Sequence, residues 1–262
     1  MKSLTILGGR DKEGRPENLE LTLRGGDILC VVGPTGAGKS RFLEDLSSLA
    51  QGDSPTGRRV LIDHAAPSLE QRYSLEGRLV AQLSQNMNFV MDLSVGEFIA
   101  LHAQAAGTSV DTGALTAAII AAANTLCGEA LDADTPVTRL SGGQSRALMI
   151  ADTALLSPSP VVLIDELENA GVNRQAALEL LVQKDKIVLV STHDPVLALL
   201  GQRRLCIQGG AVRRIIETSP RERRNAVTLS TVNSKFLSLR ELLREGAALD
   251  FDMEAYFYEK AE

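Results

Sequence analysis

The sequence predicts an α/β protein with a mostly parallel sheet, and three observations favour this class. Short apolar runs alternate with helical patterns between residues 161 and 200, which is the order expected of parallel strands joined by helices. Hydrophobic residues make up 44% of the 262-residue chain, whereas aromatic residues make up 3% and Trp is absent, so aliphatic side chains must fill the core. A glycine-rich turn at residues 33–38 separates a predicted strand from a predicted helix.

The first 85 residues predict five strands and one helix. Strands are expected at 4–7, 19–23, 27–32, 58–62 and 79–83, and a helix is expected at 41–46. A polar turn that contains Gly and Pro separates the first two strands, which predicts that they pair in an antiparallel layer. The third strand is short, apolar and partly β-branched, which is typical of a buried strand.

Residues 86–157 predict an all-helical insertion. Helices are expected at 95–105, at 113–126 and from residue 141 onward, the second because its Ala content gives it high helix propensity. The α/β alternation then resumes. Strands are expected at 161–164 and 186–190, helices at 174–183 and 195–200, and a closing hairpin at 203–207 and 211–216.

The chain after residue 217 is predicted to be a separate extension, so we divide the sequence into a domain at 1–217 and an extension at 218–262. A Pro followed by a charge cluster at 220–225 predicts that regular structure ends there. Phe236, Leu239 and Leu243 are spaced as on one face of an amphipathic helix. The last segment holds four of the nine aromatic residues, and these are expected to pack on their own domain, on a second copy or on a partner.

Charge and hydropathy exclude several classes of protein. The net charge of −6 and the pI of about 5.3 argue against a broadly basic surface, so no nucleic-acid partner is expected. No apolar run approaches the roughly 20 residues needed to span a bilayer, and the amino terminus lacks the apolar segment of a signal peptide, so we expect a cytoplasmic protein. Cys30, Cys127 and Cys206 have neither metal-site nor disulfide spacing and are predicted to be small buried hydrophobic residues.

The most specific motif is G-x-x-x-x-G-K-[ST], which we call the phosphate loop. It consists of Gly33, Pro34, Thr35, Gly36, Ala37, Gly38, Lys39 and Ser40. The glycines allow the backbone to approach phosphate groups closely, and the backbone N–H groups at the following helix N-terminus attract them. Because Lys39 adds a positive charge and the Ser40 hydroxyl can bind Mg²⁺, the loop predicts a nucleotide site.

Four further motifs, in the expected order, resemble those of the ATP-binding cassette (ABC) family. They are the signature segment Ser141, Gly142, Gly143 and Gln144, which follows Leu140 and precedes Arg146; the Walker B strand 161–164 with Asp165 and Glu166; the Q-loop residue Gln85; and the switch residue His193. The resemblance implies a P-loop NTPase (RecA-like) core with an antiparallel β subdomain and an inserted α-helical signature subdomain.

The resemblance also implies a Mg²⁺-dependent ATP hydrolase. Asp165, acting through water, together with Ser40 and Gln85, would hold Mg²⁺, which prefers few carboxylates and keeps several waters. Glu166 would polarise the attacking water, Gln85 would touch both this water and the metal, and His193 would donate to the γ-phosphate. These residues are the predicted catalytic and metal-binding groups.

In the family, the signature segment faces the γ-phosphate bound by the opposite subunit. Since this chain carries one copy of each motif, the resemblance implies a homodimer, or a pair with a related ABC subunit, that encloses two ATP molecules. Hydrolysis would then open the dimer and move a partner.

Two features depart from the family pattern. The residues after Glu166 lack the usual Pro-Thr-Ser, and Val172 stands where the family has an Asp, with Asn169 or Asn173 as a substitute hydrogen-bonding group. No aromatic residue precedes residue 33 to stack on adenine, so we expect the guanidinium plane of Arg10 to stack there instead.

The sequence leaves three functions open. The leading hypothesis is the nucleotide-binding subunit of a membrane transporter, peripheral at the inner face of the membrane, with a permease docking surface within residues 85–99. The second is a soluble ABC ATPase in protein remodelling or cofactor assembly, favoured by the altered loop and the extension. The third is a low-turnover nucleotide sensor, against which Glu166 and His193 count.

Overall fold

The computed structural model describes residues 1–73, 78–84, 89–107, 111–167 and 171–258, with Tyr258 described by its backbone alone. The strands in these ranges are β1 (Ser3–Leu7), β2 (Glu20–Arg24), β3 (Ile28–Val32), β4 (Arg59–Ile62), β5 (Val80–Leu83), β6 (Val161–Asp165), β7 (Ile187–Ser191), β8 (Arg203–Gln208) and β9 (Ala211–Glu217). The helices are α1 (Lys39–Ser47), α2 (Leu69–Tyr73), α3 (Val95–Ala105), α4 (Thr112–Leu126), α5 (Gly142–Leu155), α6 (Arg174–Gln183), α7 (Pro195–Leu200), α8 (Pro220–Arg244) and α9 (Met253–Tyr258).

The central element is a six-stranded sheet in the order β5-β6-β7-β3-β8-β9. Its neighbours pair in parallel from β5 to β8, and β9 closes the edge as the antiparallel arm of the predicted hairpin. Every residue of β7 is buried, as expected for a strand covered on both faces. The predicted α/β class is confirmed, and the carboxyl ends of β3, β6 and β7 meet at one edge of the sheet.

A second sheet, in the order β2-β1-β4, forms the predicted antiparallel layer. Its leucines alternate with polar residues, so that Leu21 and Leu23 enter the core, and Thr5 and Thr22 share a hydrogen bond of 2.9 Å between their hydroxyl groups on the half-buried face. The sequence predicted β4 as a strand but did not predict that it pairs with β1.

Helices α3, α4 and α5 lie between β5 and β6 in the chain, as predicted. Ser94 begins α3 with a capping box in which its side chain accepts from the backbone N–H of Glu97, and the Glu97 carboxylate accepts from the Ser94 backbone N–H. Although α4 is rich in Ala, Ile119, Ala123 and Leu126 give it a buried face in the core shared with α5 and α6.

The prediction that regular structure ends at the charge cluster 220–225 is wrong. Pro220 occupies the first turn of α8, where its missing N–H costs nothing, and Ser219 caps the helix together with Glu222. The hydrogen bond from Arg204 holds the pKa of the Glu222 carboxyl down at about 2. β9 has already ended at Glu217, and Pro220 begins a helix of 25 residues.

The aromatic residues of the last segment fold back onto α8. Phe257 lies 5.0 Å from Phe236 between ring centroids, and the Tyr256 hydroxyl donates to the Lys235 carbonyl at 3.2 Å. Of the predicted stripe on α8, Leu239 is buried, whereas Phe236 remains 51% exposed and Leu243 58% exposed. Of the three packing alternatives, the structure supports contact with the protein's own chain, through α8.

The cysteine prediction is right for Cys30 only. Cys30 is fully buried in β3, its thiol donates to the Leu197 carbonyl at 3.1 Å, and burial raises its pKa to about 12. Cys127 and Cys206 are half-buried, so their thiols are partly accessible. Among the described helices, none combines the length and apolar composition that crossing a membrane requires.

Candidate functional site

The phosphate loop lies between the end of β3 and the start of α1. Gly36 and Gly38 have φ values of +75° and +108°, a region that favours glycine, and Gly38 is the N-cap of α1. A Cβ on Gly33 would lie 2.3 Å from the Ile207 carbonyl oxygen, so the end of β8 leaves no room for a side chain there. The backbone conformation at Gly36 and Gly38 and the packing at Gly33 therefore favour glycine at these positions.

Lys39 folds back over the loop. Its Nζ donates to the carbonyl oxygens of Gly33 at 2.8 Å and Pro34 at 3.3 Å, and lies 3.0 Å from Nε2 of His193. The two carbonyl groups carry no net charge, so a phosphate would compete well for this ammonium group. The contact with His193 brings two of the predicted site residues together.

Asp165 and Glu166 lie at the same edge of the sheet, because β6 neighbours β7. Asp165 is opposite Ser191 in the strand register, and the backbone N–H of Glu166 donates to the Ser191 carbonyl at 3.0 Å. Glu166 has a φ of +51°, a left-handed conformation that is strained for a residue with a side chain. Such strain is concentrated at functional sites, and here it falls on the predicted catalytic carboxylate.

Gln85 lies outside the described residues. The strand before it, β5, ends at Leu83 beside Ile164 of β6, so the last described residues before Gln85 run toward the edge that carries Asp165. The structure thus brings the phosphate loop, the Walker B carboxylates and His193 together, while the position of Gln85 stays a prediction.

The signature segment begins α5, within the helical insertion. Ser141 is the N-cap, its side chain accepts from the backbone N–H of Gln144, and the Gln144 side chain returns the bond in a capping box. Ser141 and Gly142 are exposed. Arg146 links this helix to the sheet, since its Nη2 donates to the backbone carbonyl of Asp165 at 2.6 Å.

The described part of the loop after Glu166 makes its contacts within its own chain. Val172 is buried and forms an isolated bridge with Cys127. The Asn173 side-chain oxygen accepts from the backbone N–H of Ala176 at 3.1 Å and thereby caps α6, so this acceptor is already used within its own chain. Asn169, the other proposed substitute, lies outside the described residues.

Lys12 contacts the phosphate loop, and sequence reasoning missed this residue. The Lys12 Nζ donates to the Gly36 carbonyl at 2.9 Å, while its backbone N–H donates to Gly209. The exposed Arg10 instead lines a separate cavity that includes Ser54. The sequence signal for Lys12 was its position in the charged turn at 11–16, two residues after Arg10.

The turn that positions Lys12 is held by Asp11, whose side chain is buried. Its carboxylate accepts from the backbone N–H groups of Glu13 and Arg15, and from the side chains of Arg15 and Arg213 at 2.8 Å. Burial of the carboxyl opposes its ionisation, but these hydrogen bonds prevail and hold its pKa well below the usual range. The turn that carries Lys12 is therefore fixed by charge-assisted hydrogen bonds.

The family model for the ABC transporter matches residues 16–169. An uncharacterized ABC transporter ATP-binding protein of Methanocaldococcus jannaschii is 48% identical over 250 residues, covering 95% of both chains. The ATP-binding protein LolD of the lipoprotein-releasing system of Shewanella frigidimarina is 30% identical, over 77% of this chain and 85% of its own.

Solved structures agree on the fold. A dimeric ATP-binding cassette in a post-hydrolysis state with ADP and Pi superposes with a TM-score of 0.62 at 21% identity, over 82% of this chain and 99% of its own. The cbiO1 subunit from Clostridium perfringens, part of the transporter complex cbiONQ, gives 0.62 at 20% identity, over 92% and 98%. The motifs, the fold and the 48% identical relative lead to one conclusion: this chain belongs to the ABC transporter family and is an ATP hydrolase.

Proposed function

We propose that two copies of this chain close on two ATP molecules, each held between the phosphate loop of one copy and the signature segment of the other. The observation that carries this proposal is the exposure of Ser141 and Gly142 at the start of α5. The phosphate loop, Glu166 and His193 gather at one sheet edge, whereas Ser141 lies at the exposed start of α5. The first-turn N–H groups of α5 suit the phosphates of a neighbouring copy.

The residues at the sheet edge suit ATP with Mg²⁺. Ser40 is exposed in the first turn of α1, and Asp165 is half-buried at the end of β6, so both can offer the hard oxygen atoms that Mg²⁺ prefers. Held by these residues, Mg²⁺ would neutralise charge on the phosphate groups. Within the described part of the chain no cluster of three or more His, Cys, Asp or Glu residues occurs, and an ion held largely by water and phosphate needs none.

Each remaining residue has a proposed role in hydrolysis. Lys39 would exchange its carbonyl partners for phosphate oxygens, which releases His193 to donate to the γ-phosphate. Glu166, held by its bond to Ser191, would polarise the attacking water, with Gln85 as a second contact to this water.

The test is Glu166→Gln, which keeps the shape of the side chain and removes its basicity. We expect hydrolysis to fall by about 100-fold or more, while ATP binding persists and the protein elutes as a dimer with ATP in gel filtration. Glu179→Gln, an exposed substitution on α6, is the control. A variant that hydrolyses ATP at the normal rate would remove Glu166 from the mechanism, and a monomer with bound ATP would contradict the dimer.

We further propose that the motion drives a membrane permease. One relative is named as an ABC transporter ATP-binding protein and another as the ATP-binding protein of a lipoprotein-releasing system. An apolar surface is also present before and on α3, where Val90 is 92% exposed, Met91 39% and Leu101 46%. Phe89, beside these residues, is half-buried and packs on Phe98 with 5.0 Å between ring centroids, and Met87 lies outside the described residues.

Membrane recovery tests this partner. The Glu166→Gln protein should be recovered from solubilised membranes with a membrane-spanning protein, and the further change Val90→Asp should abolish recovery, since a charge in an apolar contact is costly. Val227→Asp on α8 is a matched control, as Val227 is also an exposed valine. Recovery that is insensitive to Val90→Asp would reject this surface as the docking site.

The extension favours a second candidate, a soluble ABC ATPase that remodels a protein or assembles a cofactor. We propose 1–217 as the ATPase domain, with its helical insertion at 86–157, and 218–262 as an extension for contact with a second copy or a partner. The exposed Phe236 and Leu243 on α8 support such a contact. A stable complex recovered without any membrane protein, and lost in Phe236→Asp, would favour this candidate over the permease.

A further inference from the structure

A cluster of charged side chains is buried behind the phosphate loop. Arg58 and Glu17 have no exposed side-chain surface, and Asp45 is 1% exposed. They come from three parts of the chain: Glu17 precedes β2, Asp45 is on α1, and Arg58 precedes β4. Since burying charges is costly and gains little stability over apolar residues of similar size, this cluster calls for a further explanation.

Arg58 is the centre of the cluster and uses every nitrogen of its guanidinium group. Nε and Nη2 donate to the two oxygens of Glu17 at 2.7 and 2.8 Å, and Nη1 donates to Asp45 at 3.0 Å. The guanidinium carbon also lies 5.1 Å from the ring centroid of Phe42 on α1. A fourth hydrogen bond runs from Nη2 to the backbone carbonyl of Gly210 at 2.8 Å.

Gly210 connects this cluster to the phosphate loop. It lies in the turn between β8 and β9, and its N–H donates to the Ala37 carbonyl at 2.8 Å. The hairpin of β8 and β9 approaches the loop closely at two glycines. A Cβ on Gly38 would lie 3.1 Å from the Gly210 Cα in the turn, and one on Gly33 would lie 2.3 Å from the Ile207 carbonyl oxygen at the end of β8. Glu17 holds this hairpin as well, by accepting from the Val212 N–H.

We propose that Arg58 is a positioning residue for nucleotide binding, which fixes the curvature of the phosphate loop through Gly210 and Ala37. It acts on the loop from behind, while its bonds to Asp45 and Phe42 hold the helix that follows the loop. The inference rests on the proposed role of residues 33–40 in binding phosphate.

The shape of the side chain explains why an arginine is needed. A planar guanidinium group can direct separate N–H donors at Glu17, Asp45 and Gly210 in fixed directions, whereas the ammonium group of a lysine is a single point on a flexible stem. A preformed loop binds phosphate more tightly, because less conformational freedom is lost when the ligand arrives. Lysine would preserve the positive charge but could not donate to Glu17, Asp45 and Gly210 in the same fixed geometry.

The test is Arg58→Lys, compared with Arg203→Lys. Arg203 also bridges the two sheets, by donating to the Thr22 carbonyl at 3.1 Å and to Asp27 at 2.9 Å, but Asp27 lies at the opposite end of β3 from the phosphate loop. Affinity for a fluorescent ATP analogue is measured by titration at a temperature where thermal melting shows both variants folded. We expect about a 10-fold weaker affinity for Arg58→Lys, or about 1.4 kcal/mol, and little change for Arg203→Lys.

Two further variants, Glu17→Gln and Lys39→Ala, distinguish a failure of this proposal from a failure of the proposed phosphate site. Glu17→Gln removes the charge that orients Arg58 but keeps a hydrogen-bond acceptor. The affinity of this variant for the ATP analogue should therefore lie between those of the wild type and Arg58→Lys. If Arg58→Lys does not fold, Glu17→Gln alone tests the proposal. Normal affinity in the folded variants, with only a lower melting temperature, would overturn the proposal and leave Arg58 a structural role. In contrast, undiminished binding by Lys39→Ala would show that the phosphate loop is not the site at all.

Discussion

The phosphate loop and the signature segment are supported in opposite ways. The phosphate loop lies against the turn between β8 and β9, and a buried cluster centred on Arg58 fixes that turn from behind. The signature segment is at an exposed helix start, where it has its own capping box and a bond from Gln144 to the Ala130 carbonyl at 3.1 Å, and Arg146 ties the same helix to the Asp165 carbonyl. One half of the proposed site is therefore braced by its own chain, and the other half is presented outward.

The glycines of the two motifs show the same difference. Gly33 has no space for a side chain, because its own chain occupies that position. A Cβ on Gly142 would meet no heavy atom within 4 Å, and Gly142 has no positive φ, so nothing in this fold requires glycine there. The open space at Gly142 is consistent with the approach of a phosphate bound by a second copy.

The largest effects are expected from substitutions that disable either the phosphate loop or the signature segment. Lys39→Ala should weaken ATP binding by about 10- to 100-fold, because a charge-assisted hydrogen bond to phosphate is lost. Ser141→Arg should leave ATP binding by the single chain intact but block the contact between copies. In a Glu166→Gln background, gel filtration with ATP should therefore show that neither variant dimerises alone.

Mixing the two variants sharpens the comparison. The phosphate loop of Ser141→Arg and the signature segment of Lys39→Ala form one intact site, so the mixture should dimerise and retain one ATP for each dimer. Two ATP molecules per mixed dimer, or dimerisation of either variant alone, would contradict a site that is built from both copies.

A smaller effect is expected from adding one methyl group to each motif. Gly33→Ala should lower both stability and nucleotide affinity, since overpacking costs about 1–3 kcal/mol and the new Cβ would press on the Ile207 carbonyl. Gly142→Ala should leave stability and single-chain binding unchanged while it lowers hydrolysis. Thermal melting, ATP titration and turnover measure the three quantities, and a destabilised Gly142→Ala protein would show that its own chain needs this glycine.

Much of the fold was predictable because its signals are local. The apolar period of each strand and the Ser caps of α3 and α5 lie within the segments they organise, so the order of elements followed from the sequence. The pairing of β4 with β1 depends on contacts between distant segments and was not predicted. Pro220 was misread because a proline both ends a strand and suits the first turn of a helix.

The site was predictable to the extent that its motifs are contiguous. The phosphate loop and the signature segment are each continuous, whereas the residues that brace the loop are dispersed single charges. Glu17, Asp45 and Arg58 resemble ordinary surface residues in the sequence, and their burial depends on the meeting of both sheets with α1. Lys12 was missed for the same reason, since its contact with Gly36 depends on the turn that Asp11 holds.

The smallest expected effect concerns the helix that carries the signature segment. Nδ1 of His102 on α3 lies 2.8 Å from the buried Asp152 carboxylate on α5, and this hydrogen bond raises the pKa of His102 above its ordinary value despite partial burial. A raised pKa in the folded state means that the protonated histidine stabilises the fold. This stabilisation is fully present below the unfolded-state pKa of about 6.5 and is lost as the pH rises through the higher folded-state value.

The variant His102→Asn should therefore be less stable than the wild type at pH 5.5, and the difference should shrink by pH 9. Because His102 is partly exposed, we expect less than about 1 kcal/mol in the free energy of unfolding from urea denaturation. His64→Asn is the control, since His64 is exposed and has a positive φ that Asn tolerates. A difference that does not vary with pH would show that His102 contributes by packing, and α5 would then be held to α3 without the ion pair.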